Sequence, residues 1–123
     1  MRYLSLLAAF MLIVPATQGR ELQELRERVR DAVQRTDKDL GTSIHPEKLS
    51  TEQRAKYDAT LEDLRVLRED VASSKWEGER DRLERAADNV DFLAKHAPLE
   101  EAERQTLGID VYTMQVILDS WKK

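Results

Sequence analysis

The sequence predicts an all-α protein whose helices form an antiparallel up-down four-helix bundle. Apolar residues recur every three or four positions over four stretches, which is the spacing of one helix face. No stretch alternates apolar and polar residues over the length of a strand. Short connections between the stretches make neighbouring helices antiparallel. The alternative is a three-helix bundle in which two stretches fuse across "SSKWEG".

We expect residues 1–19 to be a secretory signal peptide. One positive charge, Arg2, precedes the apolar run "YLSLLAAFMLIV", and Pro15 and small residues follow. The apolar run is about a dozen residues long, whereas a membrane-spanning helix needs about 20. Cleavage after Ala16 or after Gly19 fits this layout, and an uncleaved membrane anchor is the alternative. The sequence therefore predicts an exported protein, periplasmic or extracellular, without stable membrane insertion after cleavage.

Residues 20–123 then form a single helical domain, because about 100 residues are enough for one domain and too few for two. The formal net charge of −4 argues against a nucleic-acid partner, whose phosphates require clustered basic residues. The absence of cysteine excludes disulfides, a thiol nucleophile and covalently attached haem. An exported domain of this composition has to be stabilised by its core alone.

The four helices are predicted at about 20–40, 51–72, 75–96 and 99–121. We expect Gly41 to end the first helix, Trp76 to lie at the start of the third, and Pro98 to occupy the first position of the fourth. The residues expected to face the core are Leu22, Leu25, Val29, Val33, Thr36, Leu40, Tyr57, Leu61, Leu64, Leu67, Val71, Leu83, Ala87, Val90, Leu93, Ala97, Leu107, Val111, Met114, Leu118 and Trp121.

The stretch "LSTEQR" marks the start of the second helix, where Ser50 and Gln53 fit a capping box. In this arrangement the Ser50 hydroxyl accepts a hydrogen bond from the Gln53 N–H, and the Gln53 side chain accepts one from the Ser50 N–H. Glu52 in the first turn suits the positive end of the helix dipole. Helix capping therefore explains this stretch without any further function.

"LSTEQ" also resembles the Leu-Thr-x-x-Gln motif of Spy-type periplasmic stress chaperones, which are small, exported, cysteine-poor and all-helical. This resemblance implies a chaperone that holds unfolded client proteins. That family normally carries the motif twice and tends to present a basic concave surface, whereas the second candidate here is "LEEAE" and the chain is acidic. The segments "QRTDKDL" and "YDATLEDL" and the closing helix resemble uncharacterised small secreted helical proteins of bacteria, a likeness that implies fold and compartment but no activity.

No pattern of residues identifies a catalytic, cofactor or metal site. The b-type cytochrome bundle holds haem between a Met in its first helix and a His in its last. Here the first predicted helix has no Met and the fourth has no His. His45 and His96 fall in or beside connections, and neither forms a Glu-x-x-His or His-x-x-x-His pair. No Gly-x-Ser-x-Gly motif or phosphate-binding loop occurs. We therefore expect no cofactor and no enzyme activity, with a small-ligand binder or an enzyme of unrecognised chemistry as a further alternative.

The fourth predicted helix is unusual because it is apolar on two opposite sides. At about 100° of rotation per residue, Ile109, Tyr112 and Val116 lie almost opposite its core-facing residues. Such a helix lies centrally, is covered by the connection 41–49, or meets another molecule. Tyrosine is typical of protein interfaces because it combines apolar area with a hydrogen-bonding tip. We expect a non-catalytic protein that acts through this surface on a protein partner or as a homodimer.

Overall fold

The computed structural model describes the backbone of residues 2–73 and 78–121 and the side chains of residues 20–71 and 78–121. The elements are α1 (Arg2–Ser43), a 3₁₀ turn (Pro46–Lys48), α2 (Thr51–Ser73), α3 (Glu79–His96) and α4 (Glu101–Ser120). No strand occurs in these two ranges. The predicted all-α fold with four helices is confirmed. The three-helix alternative is wrong, because Gly78 adopts a φ of 80° and separates α2 from α3.

The four helices form a ring in which each helix packs against two neighbours. α1 contacts α2 and α4, and α3 contacts the same two helices from the opposite side. Because the connections between consecutive helices are short, adjacent helices run antiparallel. The apolar side chains buried along the axis of this ring are Val29, Ala32, Val33, Leu40, Ile44, Tyr57, Leu64, Leu67, Leu83, Ala86, Ala87, Val90, Leu93, Ala94, Ala97, Leu107, Val111, Met114, Ile117 and Leu118.

The first helix differs from the prediction at both ends. α1 begins at Arg2 and continues through the expected cleavage region, whereas the mature helix was expected over 20–40. The signal peptide itself stays a prediction. The expectation for Gly41 is wrong, because the Ile44 N–H donates to the Leu40 carbonyl (3.0 Å) and carries the last turn past the glycine. Burial of Ile44, which is 2% exposed, fixes this extra turn against the core.

Leu22 is the one predicted core residue that the structure places well outside the core. Its side chain is 42% exposed. It lies beside Ser120 and Trp121, where α4 ends. Among the described residues, α4 ends at this point while α1 continues, so Leu22 lies at the end of the packed bundle rather than within it. Leu25, one turn further along, is partly buried against the core.

The start of α4 is set by an acidic capping pair rather than by Pro98. The helix begins at Glu101, and the Glu103 carboxylate accepts a hydrogen bond from the Glu100 N–H (2.9 Å). This is the return bond of a capping box. Pro98 precedes the helix by several residues, so its predicted position is wrong. The predicted position of Trp76 at the start of α3 lies outside the described residues.

Side chains at the ends of the helices also connect one helix to the next. Both hydrogen bonds of the Ser50–Gln53 capping box are present, each at 3.1 Å. The Gln53 amide in addition donates to the His96 carbonyl at the end of α3 (3.0 Å). Arg104 of α4 donates to the Ala94 carbonyl of α3. The bonds from Gln53 and Arg104 satisfy carbonyls at the end of α3, which the helix leaves without an internal partner.

Candidate interaction surface

The structure places Ile109, Tyr112 and Val116 on the outside of the bundle. Their side chains are 59%, 68% and 37% exposed, respectively. α4 occupies one position in the ring of four helices and is not central to it. The connection 41–49 does not cover these residues, and its own Ile44 is buried in the core. A central position for α4 and cover by the connection 41–49 are therefore wrong, and the second apolar side of α4 faces solvent.

α4 presents this side because its opposite side fills the core. The buried residues of α4 are Leu107, Asp110, Val111, Met114, Ile117 and Leu118. Their spacing of three and four residues keeps them on one face of the helix. Ile117 was not among the predicted core residues, although its position three residues after Met114 places it on that face. The remaining apolar residues of α4 are therefore left outside.

The exposed side of α4 carries no charge over about three turns. We call this side the α4 outer face; its exposed residues are Gln105, Gly108, Ile109, Tyr112, Gln115 and Val116. In the segment "QTLGIDVYTMQVIL" the only charged residue is Asp110, which is buried. The exposed side of α3, in contrast, carries Asp81, Glu84, Arg85, Asp88 and Lys95. An uncharged strip about 17 Å long thus lies on a protein in which 36% of residues are charged.

Gly108 lies within the α4 outer face, and the fold of the single chain does not require it. An added Cβ at this position would meet no atom within 4 Å. Its φ is not in the left-handed region, so its backbone conformation does not require glycine. Among the described glycines, Gly78 is the one with a positive φ. A glycine inside a helix costs about 1 kcal/mol relative to alanine. The absence of a side chain here leaves room for close approach from outside.

A pair of carboxyl groups lies beneath this face, between α4 and α1. Asp110 is 1% exposed. Burial and a hydrogen bond with the Asp39 carboxyl raise the pKa of Asp110 to about 8, against a smaller opposing effect from Arg35. Burial beside a second carboxyl favours the protonated form of Asp110. The buried side of α4 therefore carries a carboxyl group whose protonation changes with pH.

Sequence reasoning missed this carboxyl pair, although a signal for it exists. Asp110 lies three residues after Leu107 and four before Met114, which is the spacing of the core face. A second pair was missed at the start of α3, where burial and a hydrogen bond with Asp70 raise the pKa of Glu79 to about 7. Asp39 is far from Asp110 in the chain, and Asp70 and Glu79 lie on different helices, so the sequence alone does not reveal either contact.

The two histidines lie in different parts of the chain, one beside the 3₁₀ turn and one at a helix end. His45 precedes the 3₁₀ turn, and His96 ends α3, where its ring lies 4.6 Å from that of Phe92. Among the described side chains, no group of three or more His, Asp or Glu residues is arranged to hold a metal ion. Across the described part of the chain, no helix combines the length and the apolar character needed to span a membrane.

Comparison of the chain with protein-family models, with curated proteins and with solved structures gives no match.

Proposed function

We propose that this protein is an exported helical module that acts by binding another protein molecule through the α4 outer face. The observation that carries this proposal is the exposure of Ile109, Tyr112 and Val116 on a strip without charge. Single exposed apolar residues are ordinary on protein surfaces. Three on consecutive turns of one helix form a contiguous patch, and contiguous patches mark sites of interaction.

The composition of the strip is that of the centre of a protein interface. Interface centres are depleted in charged residues and enriched in aromatic residues, and tyrosine is common among the side chains that dominate binding energy. Tyr112, which is 68% exposed, lies at the middle of the strip with Ile109 and Val116 on either side. The neutral glutamines at its borders, Gln105 and Gln115, supply hydrogen-bonding groups without charge.

Export is supported by the charged start, the apolar run and the small residues of residues 1–19. Export is also expected for the alternative function, that of a Spy-type stress chaperone. In that alternative the partner is any unfolded protein, and the binding surface is an apolar cradle. The exposed apolar residues here form a ridge along one helix, and Ser50 and Gln53 of the resembling motif are engaged in capping. Both features favour a defined partner.

Substitution of Val116 by Asp tests the proposal. Full-length protein would be crosslinked in intact cells and purified together with whatever is attached to it. We expect one reproducible companion, another protein or a second copy, that is lost in Val116→Asp while circular dichroism shows an unchanged helix content. The matched control is Ala59→Asp, which adds the same charge to an exposed position on α2.

Two results would contradict the proposal. If Val116→Asp unfolds the protein, the residue belongs to the core rather than to a binding surface, and the milder Tyr112→Ser then repeats the test. If the helical variant keeps its companion, the α4 outer face is not the binding site. A mixture of unrelated proteins that grows under unfolding stress would instead identify the chaperone.

A further inference from the structure

Asp110 is the most deeply buried charged residue among those that the structure describes. It is 1% exposed and lies on the same face of α4 as Leu107, Val111 and Met114. An ionised carboxyl is strongly disfavoured among apolar side chains unless a cation pairs with it. An apolar residue would fill this position without that penalty. The carboxyl therefore gives the core a response to pH that packing does not require.

On the α1 side, Asp110 meets a second carboxyl rather than a cation. The Asp39 carboxyl shares a hydrogen bond with it, and Arg35, one turn earlier on α1, has a smaller effect of opposite sign. Arg35 is exposed, so solvent weakens its attraction for the buried group. Burial and the neighbouring carboxyl together raise the pKa of Asp110 to about 8.

The other described elements around α4 keep their charged groups away from Asp110. The charged residues of α3 that border α4 lie beside its last turns, next to Gln115 and Asp119; they are Arg80, Glu84 and Asp88. Glu79, which is buried, lies in the first turn of α3, at the same end. In the connection 41–49 the exposed titratable residues are His45, Glu47 and Lys48. These groups therefore do not offset the ionisation of Asp110.

We propose that Asp110 makes the packing of α4 against α1 depend on pH, so that the α4 outer face is in place for binding while this carboxyl is protonated and is displaced when it ionises. This inference rests on the proposed function, since it concerns the regulation of the same surface. Asp110 lies on the buried side of the turn that carries Ile109 and Tyr112. Its carboxylate regains water only if this turn moves away from α1, and the exposed residues move with it.

Proton linkage determines the direction of the response. With α4 packed against α1 the pKa of Asp110 is about 8, whereas its ordinary value in water is 3.8. Between these two pH values the displaced form binds fewer protons than the packed form, so displacement becomes more favourable as the pH rises. A difference of one proton increases the displacement equilibrium constant about tenfold per pH unit. The increase should level off above about pH 8, where both forms are ionised.

Hydrogen exchange of the full-length protein between about pH 5 and about pH 9 tests this dependence. After correction for the intrinsic exchange rates, the opening of α4 should increase about tenfold per pH unit and then level off. Asp110→Asn should abolish the increase, because an amide does not ionise. The matched control is Glu79→Gln, which removes the other strongly shifted buried carboxyl and should leave the response of α4 intact. An unchanged response in Asp110→Asn, or none in the parent, overturns the proposal.

Two further variants leave Asp110 itself in place, so they test the proposal even if Asp110→Asn does not fold. Asp39→Asn removes the carboxyl that raises the pKa of Asp110, and the increase should level off at a lower pH. Arg35→Gln removes the opposing cation, and the increase should level off at a higher pH. Shifts of the same sign, or no shift in either variant, would show that another group titrates.

Crosslinking separates a failure of this inference from a failure of the proposed function. The probe is a photocrosslinking amino acid at Tyr112, irradiated in intact cells held at about pH 6 or about pH 8. The yield of the discrete adduct should fall at the higher pH, and Asp110→Asn should keep it equal at both. Equal yields in the parent overturn the regulation and leave the interaction module intact. The absence of an adduct at either pH overturns both.

Discussion

At the scale of single residues, Asp110 makes the stability of the bundle depend on pH. The pKa of Asp110 is raised from 3.8 to about 8 by burial and by the neighbouring carboxyl. Between these two pH values the folded state binds more protons than the unfolded state. The contribution of Asp110 to stability is therefore fully present below about pH 4 and is lost as the pH rises through about 8. Glu79 beside Asp70 acts in the same direction up to about pH 7.

Asp110→Asn should remove most of this pH dependence. Asparagine resembles the protonated carboxyl and carries no charge to bury, so the variant should resemble the parent at about pH 5 and exceed it at about pH 9, by on the order of 2 kcal/mol. Urea denaturation at the two pH values measures the difference. A variant that is less stable than the parent at the higher pH would show that the buried carboxylate is compensated by its surroundings, Arg35 included.

The sequence predicts the helical periodicity around these residues but not the pair itself. The position of Asp110 on the core face follows from its spacing to Leu107 and Met114. That Asp39 lies beside it depends on the packing of α1 against α4, which joins residues distant in the chain. The sequence does not predict the exposure of Tyr112 for the same reason. Only the arrangement of the four helices decides which apolar side of α4 is covered.

At the scale of helices, ends are determined by specific hydrogen bonds and not by glycine and proline alone. Apolar spacing located all four helices, because each must cover one face against the core. The boundaries predicted from Gly41 and Pro98 are wrong. Hydrogen bonds donated by the Ile44 N–H and the Glu100 N–H determine where α1 ends and where α4 begins. Ser50 and Gln53 were identified correctly as a capping pattern because that pattern is local in sequence. The bond from Gln53 to α3 is long-range and was not foreseen.

Gln53 should therefore contribute more than Ser50 to stability. Ser50→Ala removes the hydroxyl that accepts from the Gln53 N–H and should cost about 1 kcal/mol. Gln53→Ala removes both the return bond to Ser50 and the bond to the His96 carbonyl, and should cost about 2 kcal/mol. Thermal or urea unfolding of both variants compares these values. Equal losses would mean that the contact between α2 and α3 contributes nothing beyond the cap.

At the scale of the whole molecule, the uncharged α4 outer face contrasts with the charged sides of the other helices. Apolar spacing predicts the fold class and the first 19 residues predict export, but no motif in the sequence identifies the partner. The arrangement of helices adds what the sequence lacks, namely that Ile109, Tyr112 and Val116 are accessible together. On the proposed function, this face binds another protein after export.

A photocrosslinking amino acid placed at Tyr112, with an otherwise equal variant at Ala59 of α2, tests that claim most directly. Both positions are exposed, and they lie on different helices. Irradiation of intact cells should give a discrete adduct of defined mass from position 112 and none from position 59. The same weak, diffuse adducts from both positions, or a discrete adduct from position 59 alone, would contradict the assignment of the binding surface to α4.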